Sequence, residues 1–270
     1  MTERAVVVII GAGGMGVACA RRLGLGTRLL IADSSPTVVE RASHDLRHDG
    51  FDVEHLVLDV VDAVTVRLCA DRASAMGPIA AVVHTAGLSP TMATADRIFA
   101  VDLVGTANVI DAFESVVGPG SVGVCVASMA GSLTNLEPGL ERQFATEPAN
   151  ALMAAAAALG ITDPATAYGY AKRANQLRVE AAATRWGLVG ARIVSVSPGV
   201  ISTGMGHREL ASETFGAVMR SMVEASPVGR IGTAEDVASA VEWLCSPRAS
   251  FISGTDVRLD GGTTAAMRWG

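Results

Sequence analysis

The chain has 270 residues, of which half are apolar and 18% are charged, and its formal net charge is −6. This length can bury one large core, the negative charge excludes a basic nucleic-acid footprint, and no apolar run approaches the ~20 residues that cross a bilayer. The four cysteines are widely scattered and predict neither a metal site nor a disulfide framework. We expect a single domain over residues 1–270, cytoplasmic, that binds a small molecule and neither nucleic acid nor membrane.

Strand-like apolar runs alternate with helical patterns along the chain, which predicts right-handed βαβ units and a mostly parallel sheet. In chain order the runs are AVVVII, RLLIAD, DVEHLVLDV, AAVVHTAG, SVGVCVAS, ARIVSVSPG and DVRLDGG.

The first run continues into GAGGMG and a helical pattern, so Gly11, Gly13 and Gly16 form GxGxxG on a strand-to-helix turn. Such a turn brings bare backbone and a helix N-terminus to a pyrophosphate, although the same glycines can serve a tight turn alone. Asp33 ends the second run at about the ~20 residues expected for a carboxylate on the ribose hydroxyls. Neither the glycine turn (11–16) nor the stretch that Asp33 opens (33–36) contains Arg or Lys, so the sequence favours NAD over NADP.

Asp59 ends the third run. It is either a strand-end turn residue or a contact to the adenine edge of the same cofactor.

The stretch DPATAYGYAKRANQLRVEAAATRWG predicts a long helix that Asp163 caps and Gly187 ends. Tyr168 and Lys172 are four residues apart and share a face, whereas Tyr170 does not face the lysine. An adjacent ammonium lowers a phenol pKa from its usual ~10, which makes the pair a candidate acid/base. The alternative is a solvated helix surface.

Ser128 follows the fifth run, at the carboxyl edge where open α/β sheets bind ligands. It is either a turn or capping residue, or a donor that holds a carbonyl oxygen beside Tyr168.

In this order, these motifs resemble the short-chain dehydrogenase/reductase family, as do SPGVISTGM (197–205) and the C-terminal PVGRIGTAEDVASAVEWLCS and SFISGTDVRLDGG. The resemblance implies an α/β, single-domain Rossmann fold with a doubly wound seven-stranded parallel sheet and helices on both faces. It also implies an NAD-dependent enzyme that interconverts a secondary alcohol and a ketone.

The resemblance assigns roles to individual residues. Tyr168 would exchange a proton with the substrate oxygen, Lys172 would bind the nicotinamide ribose and lower the tyrosine pKa, and Ser128 would orient the substrate. Ile201 and Thr203 would fix the carboxamide and pyrophosphate side of the cofactor. The implied cofactor-binding residues are Gly11, Gly13, Met15, Gly16, Asp33, Asp59, Val60, Ala86, Gly87, Tyr168, Lys172, Pro198, Ile201 and Thr203.

Several positions depart from the family pattern. The first turn lacks the usual Thr-Gly-x-x-x-Gly-x-Gly spacing, and HTAG (84–87) replaces Asn-Asn-Ala-Gly and resembles polyketide-type ketoreductases. We expect His84 to be a structural hydrogen-bonding residue. Asp102 in VDLVGT replaces a catalytic Asn; its backbone carbonyl can still join a proton relay, but a side-chain amide is lost.

The largest departure is an insertion, because Ser128 and Tyr168 are forty positions apart. The segment of about 133–162 contains two helical patterns and resembles the insertion of the 3α-hydroxysteroid dehydrogenase/carbonyl reductase type. It either alters the subunit interface or covers the substrate cleft. We expect a homo-oligomer, a dimer or a tetramer.

We expect the segment 203–227 to be a mobile substrate lid. Its residues Met205, Met219 and Met222 favour an apolar or steroid-like substrate, or else simply pack the lid helix. Two alternatives to an alcohol dehydrogenase stay open: reduction of an acyl-thioester ketone, which HTAG suggests, and a regulatory protein that senses NAD without turnover. The Ser128, Tyr168 and Lys172 set argues against the latter.

Overall fold

The computed structural model describes residues 4–270. Its strands are β1 (Val6–Ile10), β2 (Arg28–Asp33), β3 (Val53–Val57), β4 (Ile79–His84), β5 (Val122–Val126), β6 (Arg192–Pro198), β7 (Ile201–Ser202), β8 (Gly232–Thr233) and β9 (Asp256–Leu259).

The helices alternate with the strands. They are α1 (Gly14–Leu23), α2 (Pro36–His48), α3 (Ala63–Met76), α4 (Ala95–Ile98), α5 (Thr106–Glu114), α6 (Met129–Ser132), α7 (Pro138–Thr146), α8 (Ala149–Ala157), α9 (Pro164–Leu188), α10 (Gly204–Ala211), α11 (Gly216–Ala225), α12 (Ala234–Cys245) and α13 (Thr263–Trp269). A π-helical turn, Phe99–Gly105, joins α4 to α5, and a 3-10 turn spans Pro247–Ala249.

Seven strands form one parallel sheet in the order β3-β2-β1-β4-β5-β6-β9, and β7 pairs with β8 separately. All seven predicted runs are strands of this sheet, and the doubly wound Rossmann fold is confirmed. The order reverses at β1, which pairs with β2 on one side and β4 on the other. Ligands of such sheets bind beyond the carboxyl ends of the strands at this reversal.

Helices cover both faces of the sheet. On one face, α1 and α12 close a core that includes Ile9, Leu29 and Val241. On the other face, α3, α5 and α9 close a second core around Phe113 and Trp186. Strands buried on both faces explain the continuous apolar runs of the sequence.

The insertion forms α7 and α8, as its two helical patterns predict. Phe144 and Leu152 are fully buried in a third core together with Phe99 and Leu103 of the π-helical turn. Arg178 of α9 donates to the carbonyl of Phe144 at 3.0 Å. The insertion therefore packs against α9 as part of the folded domain.

Helix α9 begins as predicted, because the Asp163 carboxylate accepts from the Thr166 N–H at 2.8 Å. It ends at Leu188, one residue beyond Gly187. Within residues 4–270, no helix is both long and apolar enough to cross a membrane, and no group of acidic, His or Cys side chains is placed to hold a metal ion.

Candidate active site

Two cavities lie at the carboxyl edge of the sheet. The first, which we call the β1 cleft, has a volume of about 380 Å³ and opens where β1, β2 and β4 end. The second, the Tyr168 cavity, has a volume of about 290 Å³ and lies between α6, α9 and the two helices of the predicted lid, α10 and α11. Nine of the predicted cofactor-binding residues line the β1 cleft: Gly11, Gly13, Met15, Asp33, Asp59, Val60, Ala86, Gly87 and Thr203.

The glycine turn is shaped by close packing at two of its positions. Gly11 has φ +103°, and a Cβ added at Gly16 would lie 1.9 Å from the Gly11 carbonyl oxygen. Gly13 caps α1, and a Cβ there would meet nothing within 4 Å. Gly11 and Gly16 thus allow the turn, while Gly13 leaves the N-terminus of α1 open to the β1 cleft, where its free N–H groups can receive an anion.

Asp33 is fixed at the edge of the β1 cleft by two backbone donors. Its Oδ2 accepts from the Ala12 N–H at 2.8 Å and its Oδ1 from the Ser35 N–H at 2.9 Å. A carboxylate has about four acceptor positions, so two remain for a ligand. The arrangement suits a pair of ribose hydroxyls.

Asp59 has the strand-end role that its position suggests and also lines the cleft. Its Oδ1 accepts from the Val61 N–H at 3.0 Å, and its Oδ2 accepts from Arg97 at 3.1 Å. Arg97 and Arg208 are the basic residues that line the β1 cleft, and sequence reasoning missed both. Arg97 lies 38 positions beyond Asp59, with no local pattern that signals their contact.

The π-helical turn carries Asp102 into the protein interior. Asp102 is 0% exposed, its Oδ1 accepts from the Leu88 N–H at 2.8 Å, and its Oδ2 lies 3.8 Å from Nζ of Lys172. That Oδ2 has no hydrogen-bond donor. Burial raises the pKa of Asp102 to about 6, although the Lys172 ammonium and the Leu88 N–H oppose this.

Asp102 is also held through its backbone. Its carbonyl accepts from the Thr106 hydroxyl at 2.8 Å, and Nε2 of His84 lies 3.1 Å from the same hydroxyl oxygen. Since the hydroxyl has one proton, His84 must donate from Nε2. Burial, with the Lys172 ammonium, lowers the pKa of His84 to about 3. His84 is therefore a neutral structural residue, as its sequence context predicts.

Lys172 lies between the two cavities. Its Nζ is 5.5 Å from the centre of the Tyr168 ring, and it donates to the Val126 carbonyl at 3.4 Å. A Cβ added at Gly87, which lines the β1 cleft, would lie 3.1 Å from the same Nζ. One ammonium group thus borders both the β1 cleft and the Tyr168 ring.

The environment of Tyr168 differs from the sequence expectation. Burial raises the pKa of its hydroxyl above the usual value, as do the charges of Asp102 and Glu209, and a hydrogen bond with Ser128 opposes them. We expected Lys172 to lower this pKa, but the lysine is paired with Asp102, which offsets its charge. Ser128 also caps α6 by accepting from the Ala130 N–H at 3.2 Å. Ser128 therefore has the capping role, and its role in holding a substrate carbonyl oxygen stays a prediction.

The predicted lid contributes four apolar residues to the wall of the Tyr168 cavity. Phe215, Val218, Met219 and Met222 of α11 and its N-cap line it, together with Met129 and Leu133. Of the described insertion residues only Leu133 reaches this cavity, so the insertion does not cover it. Met205 lines the β1 cleft instead.

Five predicted cofactor-binding residues are not among those that line the β1 cleft. Tyr168 lines the Tyr168 cavity instead, and Lys172 lies between the two cavities. Gly16 lies beneath the turn, and Pro198 and Ile201 are not among the lining residues. Ile201 is buried in β7, which pairs with β8, and its side chain packs into the core of the α1 face.

Comparison with known proteins agrees with this architecture. A family model described as short chain dehydrogenase matches residues 5–137, and one described as Enoyl-(Acyl carrier protein) reductase matches residues 141–264. A short-chain dehydrogenase/reductase of Alternaria brassicicola is 35% identical over 98% of this chain and 97% of its own. The 2-(S)-hydroxypropyl-CoM dehydrogenase 3 of Xanthobacter autotrophicus is 30% identical, over 96% of each chain.

A solved structure shares the fold at lower identity. The short chain dehydrogenase from Burkholderia cenocepacia in complex with NADP matches with a TM-score of 0.75 at 21% identity, over 97% of this chain and 98% of that one.

Proposed function

The chain belongs to the short-chain dehydrogenase/reductase family of oxidoreductases, and on that premise we propose that it is an NAD(H)-dependent enzyme that interconverts a secondary alcohol and a ketone. The observation that carries the proposal is the position of Lys172. Its ammonium borders the β1 cleft at Gly87 and the phenol ring of Tyr168 at 5.5 Å. A cofactor in the cleft and a substrate beside Tyr168 would therefore meet at one point.

The β1 cleft fits a dinucleotide. Gly13 leaves a space at the N-terminus of α1 that a Cβ would narrow, and that terminus offers free amide donors for a pyrophosphate. Asp33 would accept from the adenosine ribose hydroxyls, and Val60 and Ala86 also line the cleft. When bound, the nicotinamide supplies or takes up the hydride.

The chain's own residues would manage the proton. In ketone reduction the Tyr168 hydroxyl donates its proton to the substrate oxygen, and the raised pKa keeps that hydroxyl protonated at neutral pH. Ser128 donates a hydrogen bond to the same oxygen and orients the carbonyl. Lys172 holds the nicotinamide ribose and balances the negative charge of Asp102. In alcohol oxidation the proton moves in the opposite direction.

The preference for NAD rests on Asp33. A phosphate on the adenosine ribose would meet the like charge of the Asp33 carboxylate. Of the two basic residues that line the cleft, Arg97 already donates to Asp59 at 3.1 Å. The NADP of the Burkholderia cenocepacia structure is a property of that protein, whose likeness to this chain concerns the fold.

The alternative function, reduction of an acyl-thioester ketone, depends on the HTAG motif. In the structure, the histidine of this motif has a structural role. His84 is buried against Thr106 and does not line the Tyr168 cavity. The apolar wall of that cavity instead supports an apolar ketone, steroid-like or smaller.

We also propose a homo-oligomer in which the outer face of α9 is not the pairing surface, because α7 and α8 pack against α9 and the adjoining π-helical turn. Light scattering is expected to give a dimer. A tetramer that survives deletion of the insertion would contradict this assignment. A cytoplasmic location stays a prediction.

The proposed function is tested by mixing the protein with NADH and a panel of apolar ketones, and with NAD and the matching secondary alcohols. Cofactor absorbance is expected to change with at least one pair in both directions. Tight NADH binding without turnover of any pair would favour the regulatory alternative.

A further inference from the structure

The lid helix α10 brings a carboxylate into the Tyr168 cavity. Glu209 lines this cavity, whose wall is otherwise mainly apolar and, among residues 4–270, includes no Arg, Lys or His. The negative charge of Glu209 also raises the pKa of the Tyr168 hydroxyl. An acid here is a departure from the apolar lid that the methionines suggest.

A buried hydroxyl lies beside Glu209. Ser89 is 0% exposed, its oxygen lies 3.0 Å from that of Thr91, and its hydroxyl is close enough to Glu209 to lower the pKa of that carboxyl. Because a serine has a single proton, donation to Glu209 requires that Thr91 donates to Ser89. The Thr91 and Ser89 hydroxyls thus approach the carboxylate from the loop between β4 and α4.

No cation neutralises Glu209 directly. Among residues 4–270, none of the ion pairs includes Glu209, and the neighbouring Arg208 contacts Met92 and lines the β1 cleft. Burial raises the pKa of Glu209, while Ser89 and Arg208 lower it. The carboxylate thus has unused acceptor positions in a partly dehydrated site.

We infer that Glu209 is a specificity-determining residue that accepts a hydrogen bond from a hydroxyl or ammonium group of the substrate, remote from the reacting carbonyl, and rejects ketones that carry a carboxylate. This inference rests on the proposed function. A donor group would satisfy the unused acceptor positions, an apolar group would leave them dehydrated, and an anion would meet like charge without a counter-ion.

The test compares kcat/KM for cyclohexanones that carry a methyl, hydroxyl, ammonium or carboxylate group at the 3- or 4-position. For the wild type, kcat/KM of the hydroxyl- and ammonium-substituted ketones, each taken at whichever ring position gives the higher value, is expected to exceed that of the carboxylate-substituted ketone by about tenfold or more. In Glu209→Gln the amide oxygen still accepts from the hydroxyl, whereas the ammonium loses its advantage and the carboxylate gains about tenfold. A larger loss for the ammonium than for the hydroxyl identifies the charge as the discriminating property.

The matched control is Glu213→Gln, which removes the same charge from an exposed position between α10 and α11 that does not line the cavity. It is expected to keep the wild-type ranking. An identical ranking in wild type and Glu209→Gln would overturn the inference, as would an equal change in the control.

Binding separates this inference from the proposed function. Calorimetry on Tyr168→Phe with NAD present compares cyclohexane-1,4-diol with 4-methylcyclohexanol. Tighter binding of the diol, lost in the double variant with Glu209→Ala, supports the role of Glu209 even if no ketone is turned over. Equal binding of the two alcohols would overturn it, although turnover of the methyl ketone would leave the proposed function standing.

Discussion

The β1 cleft and the Tyr168 cavity adjoin each other but are built differently. The cleft is shaped by backbone: strand ends, the left-handed Gly11 and the contact between Gly16 and the Gly11 carbonyl. The cavity is shaped by side chains that come from α6, α9, α10 and α11. Recognition of a common cofactor needs only a fixed backbone, whereas recognition of a particular substrate needs side chains that can differ between relatives.

Lys172 and Asp102 lie at the boundary of the two regions. The ammonium borders both, and the carboxylate that stands where the family pattern has Asn is buried beside it. Substitutions of Lys172 or Asp102 are expected to affect both the β1 cleft and the Tyr168 cavity. A substitution within one of these regions is expected to affect that region alone.

The largest expected effect is that of Tyr168→Phe. It removes the proton donor and keeps the ring, so turnover should fall by about 10²- to 10⁴-fold, as for a lost general acid. NADH affinity, measured by fluorescence titration, should change little, because Tyr168 lines the Tyr168 cavity and not the cleft. Near-normal turnover would contradict the mechanism, and Tyr170→Phe on the same helix is the control.

Removal of Lys172 should affect both regions together with stability. Lys172→Met leaves the buried Asp102 charge without a partner, which costs about 3–5 kcal/mol of unfolding free energy in comparable cases. Both cofactor affinity and turnover should fall. Urea unfolding of Lys172→Met with and without Asp102→Asn checks the cause, because neutralising the orphaned carboxylate should recover part of the stability. Additive losses in the double variant would show that the two groups are not coupled.

A change at Asp33 should affect the cleft alone. Like charge against the extra phosphate predicts a preference for NADH over NADPH in kcat/KM of ~10²-fold. Asp33→Ala should reduce this preference for NADH, chiefly by weakening NADH binding. The double variant that also carries Ser34→Arg should prefer NADPH. Asp33→Asn, which keeps one acceptor for the Ala12 N–H, controls for damage to the turn. Equal kcat/KM for the two cofactors in the wild type would refute the preference.

The smallest effect expected is a pH shift at Asp102. Its negative charge raises the pKa of Tyr168, so Asp102→Asn should lower that pKa and move the rise of alcohol oxidation with pH downward by about one unit. The difference should vanish below about pH 6, where the buried Asp102 becomes protonated in the wild type. Asp111→Asn on α5 makes the same charge change outside the site. Coincident pH profiles of wild type and Asp102→Asn would contradict the coupling.

The parts that sequence predicts well are those fixed by local backbone chemistry. Apolar runs identify the strands, most clearly the five central ones, β1, β2, β4, β5 and β6, which are buried on both faces. The GxGxxG turn and Asp33 follow from the needs of one strand-to-helix connection. Asp163 and Pro164 mark the start of α9 for the same reason, since capping is a local interaction.

The parts that sequence predicts poorly depend on contacts between distant positions. The direction of the Tyr168 pKa shift is determined by the pairing of Lys172 with Asp102, seventy positions earlier, and by burial. Arg97 reaches Asp59 across 38 positions. Glu209 occurs in a helical pattern where an acid is typical of a solvent-exposed face, so only the packing of the lid identifies it as a cavity residue.

The central claim is that hydride and proton are exchanged at the point where the β1 cleft meets the Tyr168 cavity. The most direct measurement follows deuterium from NADH labelled at C4 of the nicotinamide into the product of an apolar ketone, by mass spectrometry. The account predicts one deuterium on the carbinol carbon, transferred from only one face of the nicotinamide. In Tyr168→Phe the rate of this deuterium transfer should be at least ~10²-fold lower. Product that is unlabelled whichever face of C4 carries the deuterium would contradict it, as would labelled cofactor that binds and stays intact with every ketone.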